Sequence, residues 1–280
     1  MTQTSATQIR LERRSPSYWR VTFDIPPLNI FGPKNIPQLN EIVARLETDE
    51  HVKVVVFDSA VEGFFLTHYD FLAKPEDQPI MPPGRTGLQP LPDMLARLSR
   101  APVVSIVSIR GRATGVGSEL ALASDMRFAS REKAILSQWE VGAGLVPGGG
   151  PMARLGRLVG RGRALEILLG GDDIPAALAA DYGYVNRLVP DAQIEEFTDA
   201  FARRIASFEK VAVTGIKQLV DMATLPDDEE FARGLAAYFA TAGRPENRPF
   251  IRMLFDKGLQ QPDGIETDLG TAIGRLRLRA

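Results

Sequence analysis

Short runs of apolar and β-branched residues alternate along the first part of the chain with segments of helical periodicity. Tyr18–Phe23 alternates apolar and polar positions, and Val52–Phe57 and Pro102–Ile109 are nearly continuous apolar runs, all typical of strands. Between the first two of these, Ile36–Leu46 has apolar residues on one helical face. Strand, helix and strand in this order predict a parallel β-α-β unit.

The same patterns predict further elements downstream. Helices are predicted at Leu91–Leu98, Gly117–Ser124, Met152–Val159, Gly162–Leu169, Pro175–Asp181 and Ile194–Ala206, and strands at Asp125–Ser130, Ala134–Ser137 and Tyr184–Leu188. Lys74–Pro92 is proline-rich and has no period, which predicts a mobile loop or a lid over a site. We therefore predict an α/β core over residues 1–190 and a helical C-terminal region over residues 191–280.

Charge and composition exclude several classes of function. The formal net charge of the 280 residues is −2, so no basic field attracts nucleic acid or an anionic membrane, and we expect neither partner. Cysteine is absent, which excludes disulfides and thiolate chemistry and fits a reducing compartment, so we predict a cytoplasmic location. With His51 and His68 as the only histidines, a multi-histidine metal site is excluded. Met1–Gln8 is polar and predicts no signal peptide.

A glycine-rich turn over Gly111–Gly117 connects a predicted strand to a predicted helix. Such a turn presents unpaired N–H groups at the positive end of a helix dipole, and the carboxylate of Glu119 follows at once. By itself the pattern equally describes a tight turn with a solvated glutamate. Gly63–Phe71 also follows a strand and is a second candidate for presenting backbone N–H groups. Arg110 and Arg112 flank the first turn, either as phosphate contacts or as ordinary surface arginines.

Three motifs together carry a resemblance to a known family. They are Gly117-Ser118-Glu119-Leu120-Ala121, the block Gln138–Gly150 with its acidic Glu140, and Gly160-Arg161-Gly162-Arg163-Ala164. Over Ile9–Lys257 the chain resembles the enoyl-CoA hydratase/isomerase (crotonase) family. The resemblance implies an α/β spiral of repeated β-β-α units with a helical C-terminal trimerisation region, assembled as a homotrimer or homohexamer. It also implies an acyl-CoA thioester substrate, with no metal and no separate cofactor because coenzyme A is part of the substrate.

The resemblance also implies roles for individual residues. The thioester carbonyl is expected between the backbone N–H groups of Tyr69 and Val116, which stabilise the enolate that forms as charge moves through the α-carbon. One such donor is worth on the order of 10²–10³ in rate. Glu119 and Glu140 occupy the two glutamate positions of the family's hydratases. Hydration needs one group to deprotonate water and another to handle the α-carbon proton, and two carboxyl groups suffice.

The two glutamates are expected to differ in protonation. The helix dipole is expected to keep Glu119 ionised, whereas poorer solvation beside Trp139 is expected to raise the pKa of Glu140. Three functions stay open at this stage. They are hydration of a 2-enoyl-CoA by both glutamates, double-bond isomerisation by Glu140 alone, and acyl-CoA binding without catalysis.

Several positions depart from the family pattern. Val116 interrupts a run of glycines that includes Gly115, and Trp139 replaces a common proline. The first donor loop reads Thr67-His68-Tyr69-Asp70 where the family usually has alanine-glycine-alanine-aspartate. His68 is interpreted as a third acid/base group, a ligand contact or a partly exposed loop residue. We predict that the substrate is bound by Thr67, His68, Asp70, Trp139 and Gly115, and that the changes favour an unusual substrate or altered chemistry.

Overall fold

The computed structural model describes residues 7–279, so most of the polar segment Met1–Gln8 lies outside the described residues. Within this range the chain forms ten strands. They are β1 (Ile9–Ser15), β2 (Tyr18–Phe23), β3 (Val54–Ser59), β4 (Gly63–Leu66), β5 (Val104–Ile109), β6 (Gly111–Thr114), β7 (Met126–Ser130), β8 (Ile135–Ser137), β9 (Ile174–Pro175) and β10 (Arg187–Val189).

Eleven α-helices accompany these strands in the described range. They are α1 (Asn35–Thr48), α2 (Pro90–Arg100), α3 (Val116–Ala123), α4 (Pro151–Val159), α5 (Arg161–Gly170), α6 (Ala176–Asp181), α7 (Ile194–Ala206), α8 (Lys210–Thr224), α9 (Asp228–Ala242), α10 (Arg248–Asp256) and α11 (Leu269–Arg277). Short 3₁₀ turns cover Pro75–Asp77, Glu140–Ala143, Asp191–Gln193, Pro245–Asn247 and Ile265–Asp268. None of these helices is long and apolar enough to cross a membrane.

The strands form two sheets. The larger has the order β1-β2-β3-β5-β7-β10, in which β1 and β2 are antiparallel and all other neighbours are parallel. The smaller has the order β4-β6-β8-β9, with only its last pair antiparallel. The parallel register of β2 with β3 confirms the predicted β-α-β unit around α1.

The chain repeats one unit three times. The strand pairs β3-β4, β5-β6 and β7-β8 each contribute one strand to each sheet, and α2, α3 and α4 follow them in turn. This repetition confirms the spiral of β-β-α units that the resemblance implies. Because equivalent positions of successive units are neighbours, the chain segments that follow β4 and β6 lie side by side.

The core fills the space enclosed by the sheets and the helices, and its buried members come from almost every element up to Val185. A second apolar cluster packs α7 on the outer face of the larger sheet, where the Phe128 ring meets Phe197 and Phe201 edge-on at centroid distances of 5.0 and 5.2 Å. A third cluster brings α10 and α11 against Trp139 and Leu145. The C-terminal helices therefore contribute directly to the surroundings of the Gln138–Pro151 loop.

The structure corrects some predicted boundaries. Gly111–Thr114 is not part of the glycine turn but strand β6, and only Gly115 separates it from α3. A methyl group at Gly111 would lie 2.3 Å from the backbone of Gly63, so the glycine is needed for this close parallel pairing. The strand predicted at Tyr184–Leu188 is instead the shorter β10, and β1 was not predicted as a separate strand.

Candidate active site

A cavity of about 570 Å³ lies where the segments after β4 and β6 meet the Gln138–Pro151 loop and α9. Its wall contains both predicted glutamates and both predicted donor residues, together with apolar and aromatic side chains. The residues that matter below are Tyr69, Val116, Glu119, Glu140, Trp139 and Tyr238. The proline-rich segment also lines it, through Gln78, Pro79, Met81, Gln89, Pro90 and Pro92. The segment therefore lies at the cavity, and its action as a lid stays a prediction.

The loop after β4 directs the Tyr69 N–H away from the neighbouring Phe31 segment. The Phe31 N–H donates to the His68 carbonyl (3.1 Å), and the Asp70 N–H donates to the Phe31 carbonyl (2.9 Å), which makes a parallel bridge centred on Tyr69. In such a bridge the central residue's own N–H points to the opposite side. Within residues 7–279 the Tyr69 N–H has no acceptor, so it is free to donate to a ligand.

The second donor lies at the start of α3. Val116 is the first residue of this helix, and its N–H has no acceptor within the described residues, as expected of first-turn amides. The Gly117 N–H donates to the Thr67 carbonyl (3.0 Å), which ties the helix to the Tyr69 loop. Gly115 has φ +52°, and a methyl group there would lie 3.0 Å from His68 Cβ. The glycine thus permits both the turn and the close contact of the two donor segments.

Glu119 is buried in the second half of the first turn of α3. Its Oε1 accepts a hydrogen bond from the Gly149 N–H (2.6 Å). Burial raises the pKa of this carboxyl, and the Gly149 bond and the nearby Arg154 guanidinium only partly offset the increase. Desolvation therefore opposes the helix dipole that was expected to keep Glu119 ionised, and at this depth it raises the pKa of the carboxyl.

Glu140 begins the 3₁₀ turn Glu140–Ala143 in the Gln138–Pro151 loop. Its Oε1 lies 3.4 Å from the position of a methyl group built on Gly115, beside the Val116 donor. Its buried Oε2 has no hydrogen-bond partner in the described chain. Burial raises the pKa of Glu140, and repulsion by Glu119 raises it further. The predicted increase beside Trp139 agrees with this direction, and the two carboxyl groups form one interacting pair.

The remaining predicted binding residues fall into two groups. Trp139 and Asp70 line the cavity, and the Trp139 ring stacks on Phe71 with centroids 5.7 Å apart. Asp70 also orders its own loop, because its carboxylate accepts the Leu72 N–H at 2.9 Å. Thr67 is placed differently from the prediction. Its buried hydroxyl lies 3.2 Å from the carbonyl oxygens of Leu28 and Asn29, so it supports the loop from beneath.

His68 is neither partly exposed nor free to exchange protons with a ligand. It lines the cavity but is only 2% exposed. Both of its ring nitrogens have protein partners, the Tyr69 carbonyl at 2.8 Å from Nδ1 and Glu266 Oε1 at 2.9 Å from Nε2. The interpretations of His68 as an exposed loop residue and as a third acid/base group are therefore corrected.

The flanking arginines do not face the cavity. Arg110 pairs with Asp191 at 2.9 Å on the surface. Arg112 is buried and bonds Asp173 at 2.5 Å and the Thr267 carbonyl at 2.7 Å, so it is not the ordinary surface residue expected. Neither arginine lines the cavity, and Arg110 is the ordinary surface arginine of the second interpretation.

Two functional neighbours were not found from the sequence. Tyr238 comes from α9 and contributes its ring to the cavity wall beside Gly148. Burial raises the pKa of its phenol, and the charges of Glu119 and Glu140 raise it further. Glu266 lies in a 3₁₀ turn almost 200 residues from the loop that it contacts. No local pattern marks either residue, because only the packing of the C-terminal helices brings them to the site.

Replacing Gly149 by alanine is expected to lower kcat/KM for a reaction that uses the Glu119 carboxyl by about 10- to 100-fold. Misplacement of a reacting group by about 1 Å has an effect of this order. The new methyl group would lie 2.2 Å from Glu119 Oε2, so the carboxylate must leave the Gly149 N–H. Steady-state kinetics of purified variants measure the effect. Gly156→Ala in α4 is the matched control, because nothing lies within 4 Å of its added methyl group. Equal kinetics in the two variants would contradict the proposed role of Gly149.

The fold and the cavity together define a class of protein. It is an α/β protein in which a buried and a partly buried carboxyl group line the same cavity as two amide donors without an acceptor in the described chain, an arrangement suited to enolate chemistry next to a carbonyl. A family model described as enoyl-CoA hydratase/isomerase matches residues 13–241. The chain belongs to the enoyl-CoA hydratase/isomerase family and has its crotonase fold.

Known proteins similar to this chain carry related names. The chain is 35% identical to the mitochondrial enoyl-CoA hydratase domain-containing protein 2 of Mus musculus over 183 residues, 65% of this chain and 60% of that protein. It is 31% identical to a short-chain-enoyl-CoA hydratase of Clostridium acetobutylicum, over 72% of this chain and 76% of that protein. A crystal structure of a candidate enoyl-CoA hydratase from Streptomyces avermitilis superposes with a TM-score of 0.90 at 38% identity, covering 95% of this chain and 96% of that one.

Proposed function

We propose that the protein hydrates a 2-enoyl-CoA thioester. The observation that carries this proposal is that the buried Glu119 and the partly buried Glu140 line one cavity with Tyr69 and Val116, whose N–H groups have no acceptor within residues 7–279. Family membership supports the choice of an acyl-CoA substrate. The matched region is 60% of the mouse relative, so the activity is a proposal for this chain rather than a property carried over.

The chemistry needs one ionised and one protonated glutamate. A carboxylate takes a proton from water as the water oxygen bonds the β-carbon, and the electron pair of the double bond moves onto the thioester oxygen. The N–H groups of Tyr69 and Val116 stabilise that oxygen. The second glutamate, as a carboxylic acid, gives its proton to the α-carbon, and the double bond of the carbonyl re-forms. The β-carbon thereby gains the hydroxyl of water and the α-carbon gains the proton of the second glutamate, while the first glutamate keeps the proton of water, so the pair again holds a single proton.

The surroundings of the two carboxyl groups suggest which one performs each step. Glu119 has the Gly149 N–H and the nearby Arg154 charge, both of which favour the carboxylate. Glu140 has no such partner on Oε2 and is repelled by Glu119, so the shared proton is favoured there. Glu119 is accordingly proposed as the base toward water, and Glu140 as the acid toward the α-carbon.

A panel of acyl-CoAs in D₂O tests the proposal. Incubation with saturated and unsaturated thioesters is followed by product mass and by loss of enoyl absorbance. We expect a mass increase of one D₂O on a 2-enoyl-CoA, with one deuterium at the α-carbon. Deuterium uptake without hydration would contradict the hydratase proposal in favour of isomerisation, and binding without either change would favour a non-catalytic acyl-CoA-binding protein.

We also propose assembly as a trimer or a pair of trimers. Helix α8 exposes a row of large apolar side chains to solvent in the single chain: Val211, Ile216, Leu219, Val220 and Met222, each more than half exposed. Apolar surface of this kind marks a contact with another protein surface. Light scattering measures the mass, and a monomer at micromolar concentration would contradict the proposal.

A further inference from the structure

The Tyr69 loop is held from the C-terminal region as well as from the core. The Phe71 N–H donates to Gln260 Oε1 (2.7 Å), and Gln260 Nε2 donates to Asp70 Oδ1 (2.8 Å). The Gln260 N–H in turn donates to Glu266 Oε1 (2.8 Å), the oxygen that also meets His68. These contacts join residues 68–71 to residues 260–266, which are separated by almost 200 positions. The Tyr69 loop is therefore held by hydrogen bonds from a segment outside the β-β-α spiral.

The His68 ring stands between two acceptors. A carbonyl oxygen can only accept, so Nδ1 carries a proton toward the Tyr69 carbonyl. Glu266 is held as a carboxylate by the His68 and Gln260 hydrogen bonds, although burial opposes its charge, and its pKa is lowered. Nε2 therefore carries a second proton toward that carboxylate. Although burial opposes the charge of the ring, the Glu266 and Tyr69 contacts raise the pKa of His68, which favours an imidazolium paired with Glu266; the two side chains are 3% and 1% exposed.

The pair and the Phe31 backbone together hold the two peptide groups that border Tyr69, and the His68 ring contacts the second of these groups. On one side of the loop, the backbone of Phe31 holds the His68 carbonyl and the Asp70 N–H. On the other side, the His68 ring holds the Tyr69 carbonyl. With these groups bound, the Tyr69 N–H has one orientation left, toward the cavity. A carboxylate that orients a histidine by one nitrogen while the other holds a third group is an effective positioning arrangement.

We infer that His68 and Glu266 are positioning residues that fix the Tyr69 N–H toward the thioester oxygen, in place of the short side chains common in this loop. The inference rests on the proposed function, because it assigns this amide to the thioester oxygen. His68 touches the reacting oxygen in no step and acts only through the Tyr69 peptide. A reoriented donor lowers the stability of the enolate and leaves the contacts of the coenzyme A portion unchanged.

The test compares four variants on stability, kinetics and polarisation of a bound thioester. Glu266→Ala and His68→Ala remove one partner each, and the double variant H68A/E266A avoids leaving a lone buried charge. Glu266→Gln keeps an oxygen acceptor of the same shape. The spectroscopic probe is cinnamoyl-CoA, whose absorption moves to longer wavelength when its carbonyl is polarised. We expect each alanine variant to lose kcat by about 10- to 100-fold and to lose this shift, with KM changed less than about threefold.

Two further results complete the expectation. The double variant is expected to lose no more than either single variant, because both residues act through one contact chain. Glu266→Gln is expected to recover most of the loss seen in Glu266→Ala. The matched control is Asp173→Asn, which weakens the buried Arg112 pair that holds the same C-terminal segment at Thr267. It is expected to lower Tm while leaving kcat and the probe shift unchanged.

The outcomes separate this inference from the proposed function. If the wild-type protein hydrates enoyl-CoA and shifts the probe, but the alanine variants do both equally well at reduced Tm, the pair is structural and the inference is wrong. Equal losses of kcat in Asp173→Asn would also overturn it. If the wild-type protein binds the probe without a shift and does not hydrate any enoyl-CoA, the proposed function itself fails and the inference falls with it.

Discussion

Glu140→Gln is expected to reduce enoyl-CoA hydration by about 10²- to 10⁴-fold, the range that general acid–base groups contribute. The amide keeps the shape of the side chain but cannot give a proton to the α-carbon or take one from it. Deuterium exchange at the α-carbon of a saturated acyl-CoA is expected to fall in parallel. Both rates are measured on purified protein, by absorbance and by mass.

The same substitution is expected to leave stability equal or increased. Glu140 Oε2 has no hydrogen-bond partner in the described chain, so the substitution removes no bond that this oxygen makes. It also removes a poorly solvated carboxyl group whose charge is repelled by Glu119. Unchanged or higher Tm with lost turnover indicates a residue kept for chemistry rather than for folding.

The matched control for Glu140→Gln is Glu166→Gln on α5. Glu166 is an exposed carboxylate whose partner is the Tyr182 hydroxyl at 2.5 Å, remote from the cavity. Its replacement is expected to leave turnover unchanged. Wild-type hydration by Glu140→Gln, with tight acyl-CoA binding retained, would contradict the assignment of Glu140.

Glu119→Gln is expected to reduce hydration by a similar factor of about 10²- to 10⁴-fold, while α-proton exchange by Glu140 largely survives. The reason is that Glu119 is required only for the step in which water is deprotonated. Comparing the two rates in one variant therefore distinguishes the functions. Retained double-bond isomerisation together with undetectable hydration in both wild type and variant would favour the isomerase reading.

The pH dependence of the surviving exchange gives a further readout of Glu119→Gln. Exchange by Glu140 needs its carboxylate, so the rate rises with pH and reaches a plateau above the pKa of Glu140. The charge of Glu119 raises that pKa in the wild-type protein, and its removal lowers it. The midpoint of the exchange profile is expected to move to lower pH in the variant. A midpoint unchanged or moved to higher pH would contradict the interaction of the two carboxyl groups.

Much of the fold was predictable because its elements have clear periodicity. The helix at Ile36–Leu46 and the apolar strands at Val52–Phe57 and Pro102–Ile109 were found within a few residues of their observed bounds. The strands of the smaller sheet were harder, because β6 begins with a glycine and has only four residues. In that sheet a residue such as Gly111 is required by the close approach of a neighbouring strand, and no local sequence pattern shows this contact.

The candidate glutamates were found from motifs, but their protonation was not. Glu119 sits at a helix start, which favours an ionised carboxylate, yet its burial beneath Gly149 raises its pKa. Desolvation depends on everything packed around a group and cannot be read from its neighbours in the chain. The increase in the pKa of Glu140 was predictable in direction, because the large aromatic residue Trp139 precedes it in the sequence.

The sequence alone determined most of the elements and their order, the three motifs and the presence of Glu119 and Glu140. Local periodicity and glycine placement predicted the elements, and the family resemblance implied that the two glutamates and the two donor segments share one site. Only the tertiary structure decided what His68 does, because the meaning of an unusual residue in a donor loop depended on Glu266 far along the chain. A charge is stabilised in a protein interior by whichever groups the fold brings within hydrogen-bond distance, and sequence separation places no limit on them.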